Sequence, residues 1–190
     1  GRARSVPGWS LQRQLASNPQ GLRGFTIWDG AREVTPASDQ TSYLNDEVVS
    51  FVREAAEPFF LWFTPTANHW PLEAPPGHED DFAALEWPDP READVSDKPP
   101  WIRARPALSE DHLRSIRRNQ QLRLRELLGL DDTVGAMFDA LKRRGSVDRT
   151  VVMFSSDNGV VDGEHRLPLL SKNLPYEPSV RVPCVVRAPG

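Results

Sequence analysis

Two oxygen-bearing side chains in tandem, Asp157 and Asn158, follow an apolar run and precede a glycine in Thr150-Val-Val-Met-Phe-Ser-Ser-Asp-Asn-Gly159. Carboxylate and amide oxygens are hard donors that suit calcium or magnesium, whereas zinc prefers sulfur and imidazole. Calcium is the natural guess for such a pair. It takes about six to eight oxygens, so two side chains leave most of its coordination to other groups. Further along, Gly163-Glu-His-Arg166 and Lys172 in Ser171-Lys-Asn173 add charge, and upstream His69 stands in Pro65-Thr-Ala-Asn-His-Trp-Pro71. A lysine and a histidine facing a hard cation make a pocket for a tetrahedral oxyanion, with cationic donors where charge accumulates as an ester is cleaved. Each residue alone also has a plainer reading. Asp157-Asn-Gly159 suits a turn, His69 could pack beside Trp70, Lys172 could be solvated, and Glu164-His-Arg166 could be a surface charge cluster. Ser155 and Ser156 carry hydroxyls, but local sequence sets no base beside them. The chain has no Gly-x-Ser-x-Gly elbow, no phosphate-cradling glycine loop and no His-Glu-x-x-His helix.

The apolar run before Asp157 reads as a buried strand that delivers its ligands at the carboxyl end, where loops converge in open α/β sheets. A second run, Phe59-Phe-Leu-Trp-Phe-Thr64, is apolar on both faces, as in a strand covered on both sides, and its tip leads to His69. Between the two lies a long helical pattern from Ser109 to Arg144, with Leu113, Ile116, Gln120, Leu124, Leu127, Val134, Phe138 and Leu141 on one face. Ser109 or Glu110 opens it, Lys142-Arg-Arg144 and Gly145 close it, and Gly129 is a candidate break. A shorter helix begins near Thr41 with Ser42 as cap and stops at Pro58. Asp29-Gly30 between Phe25-Thr-Ile-Trp28 and Ala31-Arg-Glu-Val34 predicts a small exposed hairpin. Residues 1–23, including Asn18-Pro19, show no sustained period and predict a loop with at most one helical turn. Residues 65–108 read as a long ordered loop anchored by Trp87 and Trp101. A last strand covers Val182 to Arg187. The order helix, strand, loop, helix, strand, loop, strand predicts an α/β layered fold with a mostly parallel sheet flanked by helices.

Composition narrows the function classes. The 190 residues carry a formal net charge of −4 with the two signs interspersed, so no nucleic-acid or membrane-surface footprint is indicated. Eighteen prolines imply long irregular connections. The single cysteine, Cys184, excludes an internal disulfide framework and reads as a buried apolar thiol within a strand. No stretch approaches the roughly 20 apolar residues that span a bilayer. The start at Gly1-Arg-Ala-Arg-Ser5 and the end at Ala188-Pro-Gly190 suggest a piece of a longer chain.

Taken together, Asp131-Asp-Thr-Val-Gly135, Val151-Val-Met-Phe-Ser-Ser-Asp-Asn-Gly159, Gly163-Glu-His-Arg166, Lys172, Pro175-Tyr-Glu177 and Arg181-Val-Pro183 resemble the carboxyl-terminal half of a sulfatase catalytic domain. Phe59 to Thr64 with His69-Trp-Pro71 is similar to the family's strand and its His-x-Pro tip. Glu92-Ala-Asp-Val-Ser-Asp-Lys-Pro99 and Gly-Glu-His-Arg-Leu-Pro resemble the N-acetylglucosamine-6-sulfatase-like branch. The resemblance runs from about Phe25 onward. It implies a partial alkaline-phosphatase-like sandwich in which 1–190 is one fragment of a single catalytic domain, with an irregular segment plus hairpin over 1–40 and an α/β core over 41–190.

By the same resemblance the whole enzyme hydrolyses sulfate monoesters of small molecules or saccharides. A formylglycine made from cysteine or serine supplies, as its hydrated aldehyde, the hydroxyl that attacks sulfur. Asp157 and Asn158 correspond to calcium ligands, and His69 and Lys172 to groups that contact sulfate oxygens and help the alcohol leave. Lys172 follows Ser171 where the family usually has glycine. His165 matches a motif without receiving a role. The nucleophile motif Cys-x-Pro-x-Arg and two metal-binding aspartates belong upstream, and neither is present. Cys184 lacks the proline and follows the Asp-Asn pair, so it cannot replace that nucleophile. The fragment alone is therefore expected to be inactive, to bind calcium weakly and to need the upstream half of its domain. Family habit makes the location extracytoplasmic. A phosphodiesterase or phosphonate hydrolase of the same superfamily, or a noncatalytic binding protein with this fold, is the alternative. Trp70, Trp87 and Trp101 could line a sugar site or serve as core anchors.

Overall fold

A computed structural model of the chain describes residues 6–17, 21–92, 94–167 and 171–189. The opening Gly1 to Ser5, the Asn18-Pro19 pair, Ala93 and Pro168 of the segments named above, and Gly190 lie outside the described residues. Two compact units are formed, one from Gly1–Ala83 with Leu122–Val147, the other from Ala84–Gln121 with Asp148–Gly190.

In the first unit, β1 (Arg13–Leu15), β2 (Ile27–Asp29) and β3 (Arg32–Val34) form an antiparallel sheet in that order. The predicted hairpin is present, with Ile27 opposite Val34 and Asp29 opposite Arg32. Gly30 supplies the positive φ, 59°, that a two-residue hairpin turn needs at its first central position. β1 corrects the expectation of loop or helical turn over residues 1–23. Three residues are too few to show a period, and Arg13 is held there by ion pairs to Asp29 and Glu47.

α1 (Gln40–Glu54) follows, and its cap is Asp39 rather than Ser42. Asp39 Oδ1 accepts from the Ser42 backbone N–H at 3.0 Å and Oδ2 from the Ser42 hydroxyl at 2.7 Å. Burial pushes the Asp39 carboxyl up, but these bonds outweigh it and hold it below its ordinary range. Val52 of α1 packs with Ala140 and Leu141, and Phe59 and Leu61 lie against this cluster. Phe60 and Trp62, the alternate side chains, are 67% and 68% exposed. Phe59 to Thr64 is thus covered on one side only and forms no strand ladder with the described residues, which corrects the expectation of a strand buried on both faces.

α3 (Glu110–Arg143) contributes residues to both units and, after α2 (Pro100–Arg103) is counted, is the long helix that the period predicted. Ser109 opens it by accepting the His112 N–H at 3.3 Å. Gly129 does not divide it. A Cβ there would stand 2.9 Å from Pro75 Cγ and 3.0 Å from Thr41 Cγ2, so glycine serves close packing instead.

In the second unit, β4 (Val152–Ser155) pairs with β5 (Cys184–Arg187) in antiparallel register, from Val152 opposite Arg187 to Ser155 opposite Cys184, and α4 (Glu177–Val180) lies between them in sequence. The mostly parallel sheet is therefore corrected: the chain is mixed α/β and its small sheets are antiparallel. An apolar run records burial but not direction, and the direction was inferred from element order alone. Val151, Met153, Phe154, Val185 and Val186 are exposed. Cys184 is also exposed, which corrects its reading as a buried thiol. The apolar centre of this unit is Ile102, Val161 and Leu167, with Leu174 and Tyr176 packed against it. Trp70, Trp87 and Trp101 are all substantially exposed, so none is a buried core anchor. No helix among the described residues is long and apolar enough to cross a membrane.

Candidate functional site

β4 ends at Ser155, whose hydroxyl donates to Pro183 O at 3.0 Å, just before β5. The turn that follows is built from its own polar groups. Ser156 Oγ donates to Asn158 O at 2.9 Å, the Asn158 N–H donates to Asp157 Oδ1 at 2.9 Å, and Asn158 Nδ2 donates to Gly159 O at 2.8 Å. Both serine hydroxyls are engaged with backbone carbonyls rather than with a base. With Nδ2 committed to Gly159, the amide oxygen of Asn158 is the atom left to face a cation, beside an exposed Asp157 carboxylate.

Backbone contacts then tie this turn to the segment that carries Lys172. The Gly159 N–H donates to Ser179 O at 2.8 Å, and a Cβ at position 159 would lie 2.0 Å from Pro178 O, so the approach admits only glycine. Val161 and Ser171 exchange two backbone bonds of 2.7 and 3.2 Å. The Ser179 hydroxyl donates to Lys172 O at 2.9 Å. The backbone after Asp157-Asn158 and the backbone of Lys172 are therefore linked through Ser179 within the second unit. His69 belongs to the first unit. It is exposed, its N–H donates to Thr66 O at 2.7 Å, and its Nδ1 lies 2.6 Å from Trp70 O. A carbonyl can only accept, so the contact to Trp70 O suits the tautomer with hydrogen on Nδ1.

The donor set at Asp157-Asn158 matches a hard cation in kind, since both contributors are oxygens. It does not complete a shell: among the described residues no group of three or more His, Cys, Asp or Glu side chains is placed to hold a metal.

Sequence reasoning missed a clasp beside this network. His165 and Arg166 both take left-handed backbone conformations, with φ of 55° and 53°. The His165 ring lies 4.3 Å from that of Tyr176, and its Nδ1 is 2.9 Å from Glu92 Oε1, within ion-pairing distance. Arg166 donates to Arg105 O at 3.2 Å and to Glu92 O at 3.4 Å. The Glu164-His-Arg166 cluster thus fastens the segment around Glu92 instead of facing solvent. Contacts across more than 60 residues left no local signal, and although histidine is enriched in left-handed backbone, arginine is not.

The fold has been seen before. A structure described in complex with its substrate D-glucosamine-2-N,6-O-disulfate superposes with a TM-score of 0.79 at 16% identity, over 98% of this chain and 51% of that one. The family model described as Sulfatase matches residues 12–190, and the chain belongs to the sulfatase family. An arylsulfatase of Volvox carteri is 28% identical over 88% of this chain and 30% of its own length. An N-acetylglucosamine-6-sulfatase of Homo sapiens is 25% identical over 96% of this chain and 35% of its own length. The chain therefore spans about a third of the length of these curated relatives.

Proposed function

We propose that this chain supplies one wall of a sulfuric ester hydrolase site, with Asp157 and Asn158 as ligands of a calcium ion and Lys172 and His69 as contacts to the sulfate. The observation that carries this reading is the network joining the Asp157-Asn158-Gly159 turn to the Lys172 segment through Ser179. It holds two hard oxygens and one cationic side chain on adjoining backbone, which is the combination an oxyanion needs.

A bound calcium would supply positive charge against the sulfate oxygens. The work of this chain is positional. Asp157 and Asn158 fix where that charge stands, and Lys172 offers an ammonium donor to a sulfate oxygen. His69 is the candidate group for proton exchange with the leaving alcohol. The nucleophile, a formylglycine, comes from a segment outside this chain, as do the remaining metal ligands. A sulfated sugar is the preferred substrate class, by analogy with the relatives named above, and an extracytoplasmic location follows from the same kinship.

The test is hydrolysis of a chromogenic aryl sulfate. The chain alone is expected to show no turnover above buffer, and a longer polypeptide that adds the formylglycine segment is expected to turn over. Turnover by the chain alone would overturn the assignment of the nucleophile to another segment.

A further inference from the structure

Ser179 is 2% exposed and lies four residues before the Pro183 that follows α4's end. Its three polar groups are all committed. The N–H donates to Tyr176 O at 2.8 Å, the carbonyl accepts from Gly159, and the hydroxyl donates to Lys172 O. The last two bonds run to the two halves of the proposed site, one through backbone and one through side chain. We infer that Ser179 is a positioning residue that sets Lys172 against the Asp157-Asn158 pair, with its hydroxyl controlling the lysine and its backbone controlling the ligand turn.

This inference rests on the reading given under the proposed function. The two ties are separable by mutation because only one of them uses a side chain. Ser179→Ala deletes the hydroxyl and leaves the Gly159 to Ser179 bond in place. Gly159→Ala does the reverse, because its Cβ would collide with Pro178 O and push the ligand turn away. A residue that served only the stability of the unit would move both halves of the site together.

The experiment is a titration of the chain with calcium chloride and, separately, with inorganic sulfate in the presence of calcium, followed by backbone NMR. Ser179→Ala is expected to weaken sulfate binding about tenfold, the scale of one lost hydrogen bond, with calcium affinity changed less than twofold. Ser179→Thr, which keeps the hydroxyl, is expected to restore sulfate binding. Gly159→Ala is expected to weaken calcium binding first. In the same spectra, Ser179→Ala should raise backbone mobility at Ser171 to Asn173 while the Gly159 amide stays protected from exchange.

Equal losses of calcium and sulfate affinity in Ser179→Ala would overturn the inference, as would unchanged mobility at Lys172. If the native chain binds neither ion, the titration is repeated on the longer polypeptide that adds the upstream half, and absence of binding there overturns the proposed function. The mobility and exchange comparison then still decides whether the hydroxyl holds Lys172. A Gly159→Ala chain too unfolded for titration leaves the decision to the Ser179→Ala and Ser179→Thr pair.

Discussion

Val52 in α1 and Met153 in β4 both sit in apolar stretches, yet Val52 is 1% exposed and Met153 is 67% exposed. The difference lies in what surrounds each. α1 is closed against Ala140 and Leu141, and Arg144 ties its end down by donating to Val52 O at 2.6 Å and to Ala55 O. Arg144 also meets Glu57 Oε1 at 3.2 Å and stacks 5.3 Å from the Phe59 ring centre. Among the described residues β4 and β5 have only each other as strand partners, and apolar side chains remain open along both. Two helices can cover one another's stripes, whereas a sheet that carries apolar residues on both faces needs layers on both. The sheet that leads to the proposed ligands is thus less covered than the helix pair of the first unit.

Substitutions test this contrast. The largest effect is expected for Leu141→Ala, which removes a fully buried side chain and should cost about 2–5 kcal/mol in chemical denaturation. Val185→Ala in β5 should change stability by less than about 0.5 kcal/mol, since its side chain is already in water. Similar losses at both positions would break the comparison.

Next comes Glu126, buried on α3, where burial pushes its carboxyl up to about 8. Its Oε1 accepts the Glu73 N–H at 2.9 Å, and Oε2 has no hydrogen-bond partner among the described residues. Arg123 opposes the shift and Glu73 adds to it. Because the folded state holds the proton more tightly than the unfolded chain, this group stabilises fully below the ordinary value of 4.5. Its contribution is lost as pH rises toward 8. Glu126→Gln should remove that slope and stabilise the protein at pH 8 by about 2 kcal/mol, read from thermal midpoints at pH 5 and pH 8.

The smallest effect concerns His78. Its ring bonds to Asp81 Oδ2 at 2.7 Å and Asp132 Oδ2 at 3.0 Å, and these carboxylates hold the imidazole above its usual value. The clasp is therefore complete below the unfolded value of 6.5 and is lost as pH rises through the raised one. His78→Gln should cost less than about 1 kcal/mol at pH 6, because both acidic partners are exposed, and nothing at pH 9.

The same contrast explains what could be read in advance. α3 was legible because Leu113, Ile116 and Leu141 recur on one helical face over many turns, and β4 and β5 were legible as short apolar runs. Their antiparallel pairing was not, since nothing in Val152 to Phe154 or Val185 to Val186 encodes direction. Asp39 and Ser42 are equally good cap residues, and only the geometry distinguishes them. At the site, Asp157, Asn158 and Lys172 stood out by residue type, while Ser179 did not. A serine becomes informative only when folding brings Gly159 and Lys172 to it. Likewise, Glu92 and His165 meet across a separation that no periodicity spans.

The most direct measurement is aryl sulfate hydrolysis by the longer polypeptide that pairs this chain with the proposed formylglycine segment, comparing the native sequence with Asp157→Ala at saturating calcium. Loss of a ligand to the charge that faces the sulfate should lower the rate about 100-fold or more, with the circular dichroism spectrum unchanged. A rate equal to that of the native protein would contradict the assignment of Asp157 to the site.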